Sequence, residues 1–345
     1  MNTLRRSPNL VALLALAVVV ALTPALVENN YLLTVLILVG EFAMITIGLS
    51  LLMGYAGQIS LGQATFAGIG AYAVAILTTR FGLSPWLALA AGVLLAAGVA
   101  WLVGRLIFRL SGHYLAMATV GMNIILVLIL TQEGEWTGGP SGFRGVPHLA
   151  LGSLTLKSDV QNYYLIWFFT LLVIALSLNI VNSRVGRAMR ALHGSEVAAE
   201  TLGIDTNRFK LQVFALSAAF GALAGGLHAS YLGFISPSSY TIGVSIEVVV
   251  MAVVGGLASI WGAVFGAGAV LAIEQWLRTA IREIIPNASG EHEIIAFGLI
   301  LILIMIFAPE GLVTALANAI RSRAPRRWRR PGLQPQPDQT QPAGG

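Results

Sequence analysis

The chain has 345 residues, of which 57% are hydrophobic and only 10% charged, with a mean hydropathy of +0.81 and no cysteine. An ordinary soluble domain is roughly a quarter charged, so this composition excludes a soluble globule, and the missing thiol excludes disulfides, thiolate metal sites and cysteine nucleophiles. The net charge is +5, and its meaning lies in where the basic residues fall.

Spans of 18 or more nearly uncharged residues read as transmembrane helices. In chain order they fall near 8–27, 31–53, 61–80, 85–108, 113–132, 163–182, 211–233 and 292–308. The first follows Arg5 and Arg6 and so imitates a signal peptide, but no small-x-small cleavage site comes after it. Between the second and third spans lies Gly54-Tyr-Ala-Gly-Gln-Ile-Ser-Leu-Gly-Gln63. Irregular backbone at membrane depth is tolerated only against other protein or a wet cavity. Gly54, Gly57, Gln58, Ser60 and Gln63 are therefore candidates for a translocation path.

The external loop 133–162 carries Thr137-Gly138-Gly139-Pro140-Ser141-Gly142, a rigid-turn sequence. It either contacts what enters the path or plugs the helix ends with turns. The loop 183–210 has Ser195 as an N-cap, Glu196 in the first turn and Gly203 as a stop, which predicts a short helix with Ala198 and Ala199 in its middle. Such a helix suits docking into a partner's groove. With Arg184, Arg187 and Arg190 before it, it equally suits lying on a lipid surface.

The region 244–277 is interrupted at Val254-Gly-Gly-Leu-Ala-Ser259. Lys and Arg accumulate in cytoplasmic loops. With the N-terminus inside, fifteen of the twenty basic residues fall inside, and Arg80, Arg144, Lys157, Arg278 and Arg282 fall outside. A single crossing at 244–277 would export the Arg-rich tail. Two short crossings or a re-entrant pair keep both termini cytoplasmic, so a discontinuous element is expected there. The expected fold is an all-α polytopic membrane protein of about nine to ten transmembrane segments over 1–320. A disordered basic, Pro/Gln-rich tail is expected over 321–345. The spacing Gly57-x2-Ser60-x5-Phe66 recurs as Gly256-x2-Ser259-x5-Phe265. Paired Gly-interrupted segments in two related halves point to a transporter's pathway, which adds Gly255, Gly256 and Ser259 to the candidates. Small residues that simply let helices approach give the same pattern.

Ionisable residues inside spans are functional hypotheses by default. Glu41, Glu247 and Glu274 qualify. Glu41 is expected to be protonated or hydrogen-bonded within the bundle, and a proton- or ion-coupled secondary transporter using Glu41 is the rival reading. Asn123 and His228 read as interhelical hydrogen-bonders. Catalytic patterns are missing: there is no His-Glu-x-x-His, Gly139-Pro-Ser-Gly142 fails the nucleophile-elbow pattern, and the five histidines lack metal-ligand spacing. The two lysines follow Leu156 and Phe209 and not a glycine, so the chain has no P-loop.

Gly54–Gln63 closely resembles the signature of branched-chain amino-acid permeases of the M type. So do Thr137-Gly-Gly-Pro-Ser-Gly-Phe143, Gly186-Arg-Ala-Met-Arg-Ala191 and Phe307-Ala-Pro-Glu-Gly-Leu312. Ala198-Ala199-x3-Gly203 resembles the loop by which bacterial ABC importer permeases grip their ATPases, with Val197 where a glutamate usually stands and Glu196 just before it. Gln63 and Ser50 stand where family members often carry His and Asn. The resemblance implies a multi-pass permease subunit of the bacterial inner membrane, not an enzyme. Implied partners are a homologous second permease, two cytoplasmic ATPases that carry ATP and Mg, and an external substrate-binding protein. No cofactor on this chain and no nucleic acid are implied.

Overall fold

The computed structural model describes residues 8–26, 29–110, 112–152, 154–284 and 298–299. The expected span at 292–308, apart from those two residues, the Phe307–Leu312 motif, Arg5, Arg6 and the tail at 321–345 lie outside the described residues. The described chain is helical throughout, with four two-residue strands in its loops.

Helix α1 (Pro8–Leu26) packs mainly against α7 among the described helices and is mostly exposed, as a lipid-facing helix should be. Helix α2 (Asn30–Leu49) starts where the Asn29 side chain accepts from the Tyr31 amide. It continues without interruption as a π-helix, Ser50–Tyr55, a local widening that recurs at functional sites. Then come α3 (Gln63–Thr79), α4 (Pro85–Ile107), α5 (His113–Gln132) and a single turn, α6 (Gly134–Thr137). Helix α7 (Asp159–Asn182) begins at a capping box formed by Ser158 and Gln161. Two short helices follow, α8 (Arg184–Gly194) and α9 (Glu196–Thr201), and after them α10 (Thr206–Leu232), α11 (Ile242–Gly255) and α12 (Ile260–Ile284). Helix α10 starts five residues before its apolar run because Asp205 caps it, accepting from the Arg208 amide.

Eight of the described helices are at least 18 residues long and apolar enough to cross a membrane, counting the Pro237–Tyr240 turn as part of α11, and α3 is a ninth, shorter apolar helix. The protein is a multi-pass membrane protein. The discontinuity expected within 244–277 is present: α11 stops at Gly255 and α12 starts at Ile260. The halves are unequal, because α11 has 14 residues and α12 has 25.

Helix α10 is the centre of the bundle and packs against α2, α3 and α4. Lipid tails are as apolar as leucine, so the hydrophobic effect does not hold helices together within a bilayer, and close backbone packing must. The contact with α3 is of that kind. A Cβ added to Gly225 would lie 2.0 Å from the Ala67 carbonyl oxygen, and one added to Gly70 would lie 2.1 Å from that of Ala222. Helices α11 and α12 meet in the same way through Gly255, Gly262 and Gly266. Polar pins add direction: Thr170 on α7 donates to the Gly40 carbonyl on α2 at 3.1 Å, and Asn123 on α5 donates to Thr65 and to the Tyr240 carbonyl.

At one end of the bundle, β1 (Phe143–Arg144) pairs antiparallel with β4 (Phe234–Ile235), and β2 (Ala150–Leu151) with β3 (Leu154–Thr155). The opposite end carries α8 and α9. Because Gly225 has no room for a side chain, Gly225→Ala is expected to destabilise the protein by about 3 kcal/mol. Gly121→Ala, which meets nothing within 4 Å, should be neutral or stabilising by up to about 1 kcal/mol. Thermal unfolding of both variants in detergent checks the contrast.

Candidate translocation path and coupling loop

The segment after the π-helix runs from Ala56 to Gly62 at the α8–α9 end of the bundle. Gly57 has φ +69°, a left-handed backbone that glycine adopts without strain. Gly54 is buried so tightly that a Cβ would lie 1.8 Å from the Leu257 carbonyl oxygen. Ser60 and Gln63 are fully buried: the Ser60 hydroxyl accepts from the Gly62 amide at 3.4 Å, and Gln63 exchanges hydrogen bonds with Ser217 on α10 at 3.1 and 3.3 Å. Gln58 is half-buried and donates to the Ala56 carbonyl. Of this segment, Gly57, Gln58 and Ile59 therefore reach the subunit surface, whereas Ser60 and Gln63 are sealed inside it. The amides at the start of α3 are satisfied from elsewhere in the bundle. Thr119 on α5 accepts from Leu61 and Ser245 on α11 accepts from Ala64, both at 3.0 Å.

The second break, 256–259, repeats the device. Gly256 has φ +101°, and Ser259 accepts from the Gly262 amide at 2.9 Å. The matching glycines of the sequence repeat are thus the two left-handed positions, and both serines accept from an amide close after them. Gly255 lies in the α11–α12 contact, where a Cβ would be 1.9 Å from the Gly262 carbonyl oxygen. The repeat fails at its third residue: Phe66 is fully buried against Phe214, whereas Phe265 is 56% exposed.

The two breaks touch through Gly54 and Leu257, and the first also touches the loop between α7 and α10. A Cβ on Gly57 would lie 3.1 Å from His193 Nδ1 at the end of α8. The 256–259 break, the 54–62 break and α8 therefore form one contiguous junction. Sequence patterns had not separated α8 as a helix of its own. Its signal was present as Met189 and Leu192, buried three residues apart on one face, opposite the arginines.

Helix α9 forms where the capping pattern places it. Ser195 accepts from the Ala198 amide at 3.2 Å, and Gly203 adopts φ +80°. Two side-chain contacts hold it to α10: Glu196 pairs with the buried Lys210, and Thr206 donates to Glu200 at 2.7 Å. Ala199 faces inward and is 1% exposed, and Ala198 is exposed. The large outward groups are Val197 and Leu202, 73% and 78% exposed, which alanine-centred reasoning missed. Arg187 is exposed and lies near its own helix's Ser183 carbonyl.

At the other end, Thr137 is buried. Its hydroxyl lies 2.7 Å from the Leu130 carbonyl oxygen and 2.5 Å from that of Glu133, and accepts from the Gly139 amide. Gly138 and Gly139 both have positive φ, and Ser141 is exposed. The turn closes against β4, since a Cβ on Gly142 would sit 2.4 Å from the Ile235 carbonyl oxygen. Among the described residues no cluster of three or more His, Asp or Glu could hold a metal ion.

Glu41 on α2 is buried and pairs with His228 on α10, Oε2 to Nδ1 2.7 Å. Glu274 pairs with Arg278 one turn along α12 at 2.5 Å, and Glu247 is half-buried on α11.

Residues 31–309 match the family model described as the permease component of branched-chain amino acid transport systems. The chain is 31% identical to the high-affinity branched-chain amino acid transport system permease protein LivM of Escherichia coli strain K12, over 90% of this chain and 76% of that protein. It is 29% identical to LivH of the same organism, over 79% and 91%. It is also 26% identical to the autoinducer 2 import system permease protein LsrC of Yersinia enterocolitica, over 75% and 71%. With its matched region covering both breaks, the loop between them and most of the helical bundle, the chain belongs to the family of permease components of branched-chain amino acid transport systems.

Proposed function

We propose that this subunit forms, with a homologous permease, the membrane path of an ATP-driven importer for branched-chain or similar small neutral amino acids. An external binding protein delivers the cargo, and ATPase subunits dock on α8 and α9. The observation that carries the proposal is the junction at Gly57. The loop built like a docking loop, α8–α9, rests directly on the first glycine break, and that break rests on the second. A movement imposed on α9 is carried by the Glu196–Lys210 and His193–Gly57 contacts into both breaks. Their surface-reaching residues, Gly57, Gln58, Ala258 and Ser259, are where the path opens or closes.

The basic residues support placing the α8–α9 end in the cytoplasm. Arg105, Arg109, Arg184, Arg187, Arg190, Arg208 and Lys210 lie toward that end, which matches the positive-inside rule. The turn around Thr137–Gly142 then faces outward with β1–β4, where a delivering protein arrives. A relative at 26% identity is named as the permease protein of an autoinducer 2 import system, which supports treating cargo choice as separable from the common permease architecture. The rival proton-coupled reading rests on Glu41, which is hydrogen-bonded to His228, and the match to permease components of amino acid transport systems favours the importer reading over it.

Two outcomes follow in the co-expressed complex. Leu202→Glu puts a charge on the outward face of α9 and should abolish co-purification of the ATPase while the chain still inserts and folds; normal co-purification refutes docking at α9. Gly57→Leu forces a branched side chain onto a left-handed backbone beneath His193. It should reduce binding-protein-dependent leucine uptake in proteoliposomes by at least about tenfold with the ATPase still bound. Uptake at the unmodified rate would remove the break from the path.

A further inference from the structure

Helix α4 divides by helical angle into two faces. Ala88, Gly92, Ala96, Ala100 and Gly104 are buried along one of them. Leu94, Leu95, Trp101, Leu102, Arg105 and Leu106 are exposed along the other, and Arg109, in the turn just past the helix, continues that outer face. An exposed, leucine-rich face on a helix long enough to cross the membrane meets lipid. This one ends in two arginines at the α8–α9 end of the bundle.

The guanidinium of Arg105 lies over the Trp101 ring, with Cζ 3.6 Å from the centroid. Side chains lean toward the N-terminus of their helix, and α4 runs toward the α8–α9 end, so Trp101 lies one turn deeper in the bilayer than Arg105. A long cationic side chain at a helix end usually snorkels out to water. Here it is laid back, over an aromatic ring of the kind that marks the level where hydrocarbon gives way to headgroups. The ring face meets the cation's charge, but it leaves the five N–H donors of the guanidinium plane unfilled. Among the described residues no carboxylate lies within ion-pair distance of Arg105 or Arg109. The anion present at that depth outside the protein is a lipid phosphate, and the planar fork of arginine suits a phosphate's paired oxygens. A soluble partner would instead need Arg105 to project past the end of the helix.

We propose that Arg105 and Arg109, one turn apart, bind the phosphate of one anionic phospholipid. Trp101 holds the Arg105 guanidinium at headgroup depth, and the acyl chains run along Leu102, Leu95 and Leu94. The site borders the helix that carries the coupling loop. Gly104, next to Arg105, has no side chain, and a Cβ there would lie 2.9 Å from Leu211 Cδ2 on α10. Leu211 follows Lys210, the residue that holds Glu196 of α9. The bound lipid therefore lies beside the start of α10. The inference rests on the geometry of α4 and is independent of the cargo.

The test weighs lipid on this chain in the purified whole complex. The complex is stripped of native lipid, incubated with dioleoyl phosphatidylglycerol or dioleoyl phosphatidylcholine, and analysed by native mass spectrometry with this subunit released in the gas phase. Phosphatidylglycerol should stay on the released subunit and phosphatidylcholine should not. Replacing both arginines, Arg105→Gln with Arg109→Gln, should lower phosphatidylglycerol retention at least about tenfold. Arg105→Lys with Arg109→Lys keeps both charges, and so the topology signal, but lacks the planar fork. It should retain the lipid less well than the natural pair. Equal retention of the two lipids overturns the proposal, and that comparison needs no substitution. Unchanged phosphatidylglycerol retention in the glutamine pair also overturns it, and if the ATPase no longer co-purifies with that pair, the arginines face the ATPase and not the bilayer. Full retention by the lysine pair overturns the shared-phosphate geometry.

Discussion

The close approach of α10 to α3 is the constraint on which the rest of the structure depends. Within a bilayer, removing apolar surface from lipid gains little, so helices associate through dispersion between closely fitted backbones and through hydrogen bonds. Gly225 against Ala67 and Gly70 against Ala222 bring the two helices to backbone contact. That proximity is what allows Gln63, at the start of α3, to reach Ser217 on α10. It also sets Phe66 edge-on against Phe214, which in turn meets Phe108 beyond α4. A wider separation would leave the amide of Gln63 buried and unpaired, a cost of about 1–3 kcal/mol.

Around this contact the protein uses one device twice. A helix ends at a glycine with left-handed backbone, a few residues cross over, and a serine accepts from an amide near the start of the next helix. Each break leaves polar backbone groups that must be satisfied. At 54–62 this is done partly by side chains from α5 and α11, so the break is tied to helices distant in sequence. At 256–259 it is local. The difference fits their neighbours: the first break lies under α8 and beside α5 and α11, while the second is followed by a helix whose Phe265 is exposed. The two breaks touch through Gly54 and Leu257.

The polar groups inside the bundle divide into two kinds. Thr170, the Gln63–Ser217 pair and the Asn123 amide nitrogen are matched to partners on neighbouring elements and give the packing its direction. Others, among the described residues, keep a buried atom without a partner: Glu41 Oε1, Asn123 Oδ1, and the hydroxyls of Ser50, Tyr72, Ser177, Ser230 and Tyr240.

Much was legible in the sequence because its signals are local. Seven of the eight spans read from hydrocarbon length fall on described helices, α1 to α5, α7 and α10, and charge parity called for a break in 244–277, which lies between Gly255 and Ile260. Ser195, Glu196 and Gly203 wrote the ends of α9 through capping and a left-handed stop. The tertiary structure decided what depends on residues far apart in the chain. It turned Ala199 inward and left Val197 and Leu202 outside, because Lys210 pulls Glu196 toward α10. It sealed Gln63 against Ser217, put His193 over Gly57, and joined Glu41 to His228 across 187 positions of sequence. Helical periodicity tells which residues share a face, but every face of a membrane helix is apolar, so only the packed neighbours determine which face meets lipid, which meets protein and which meets a cavity.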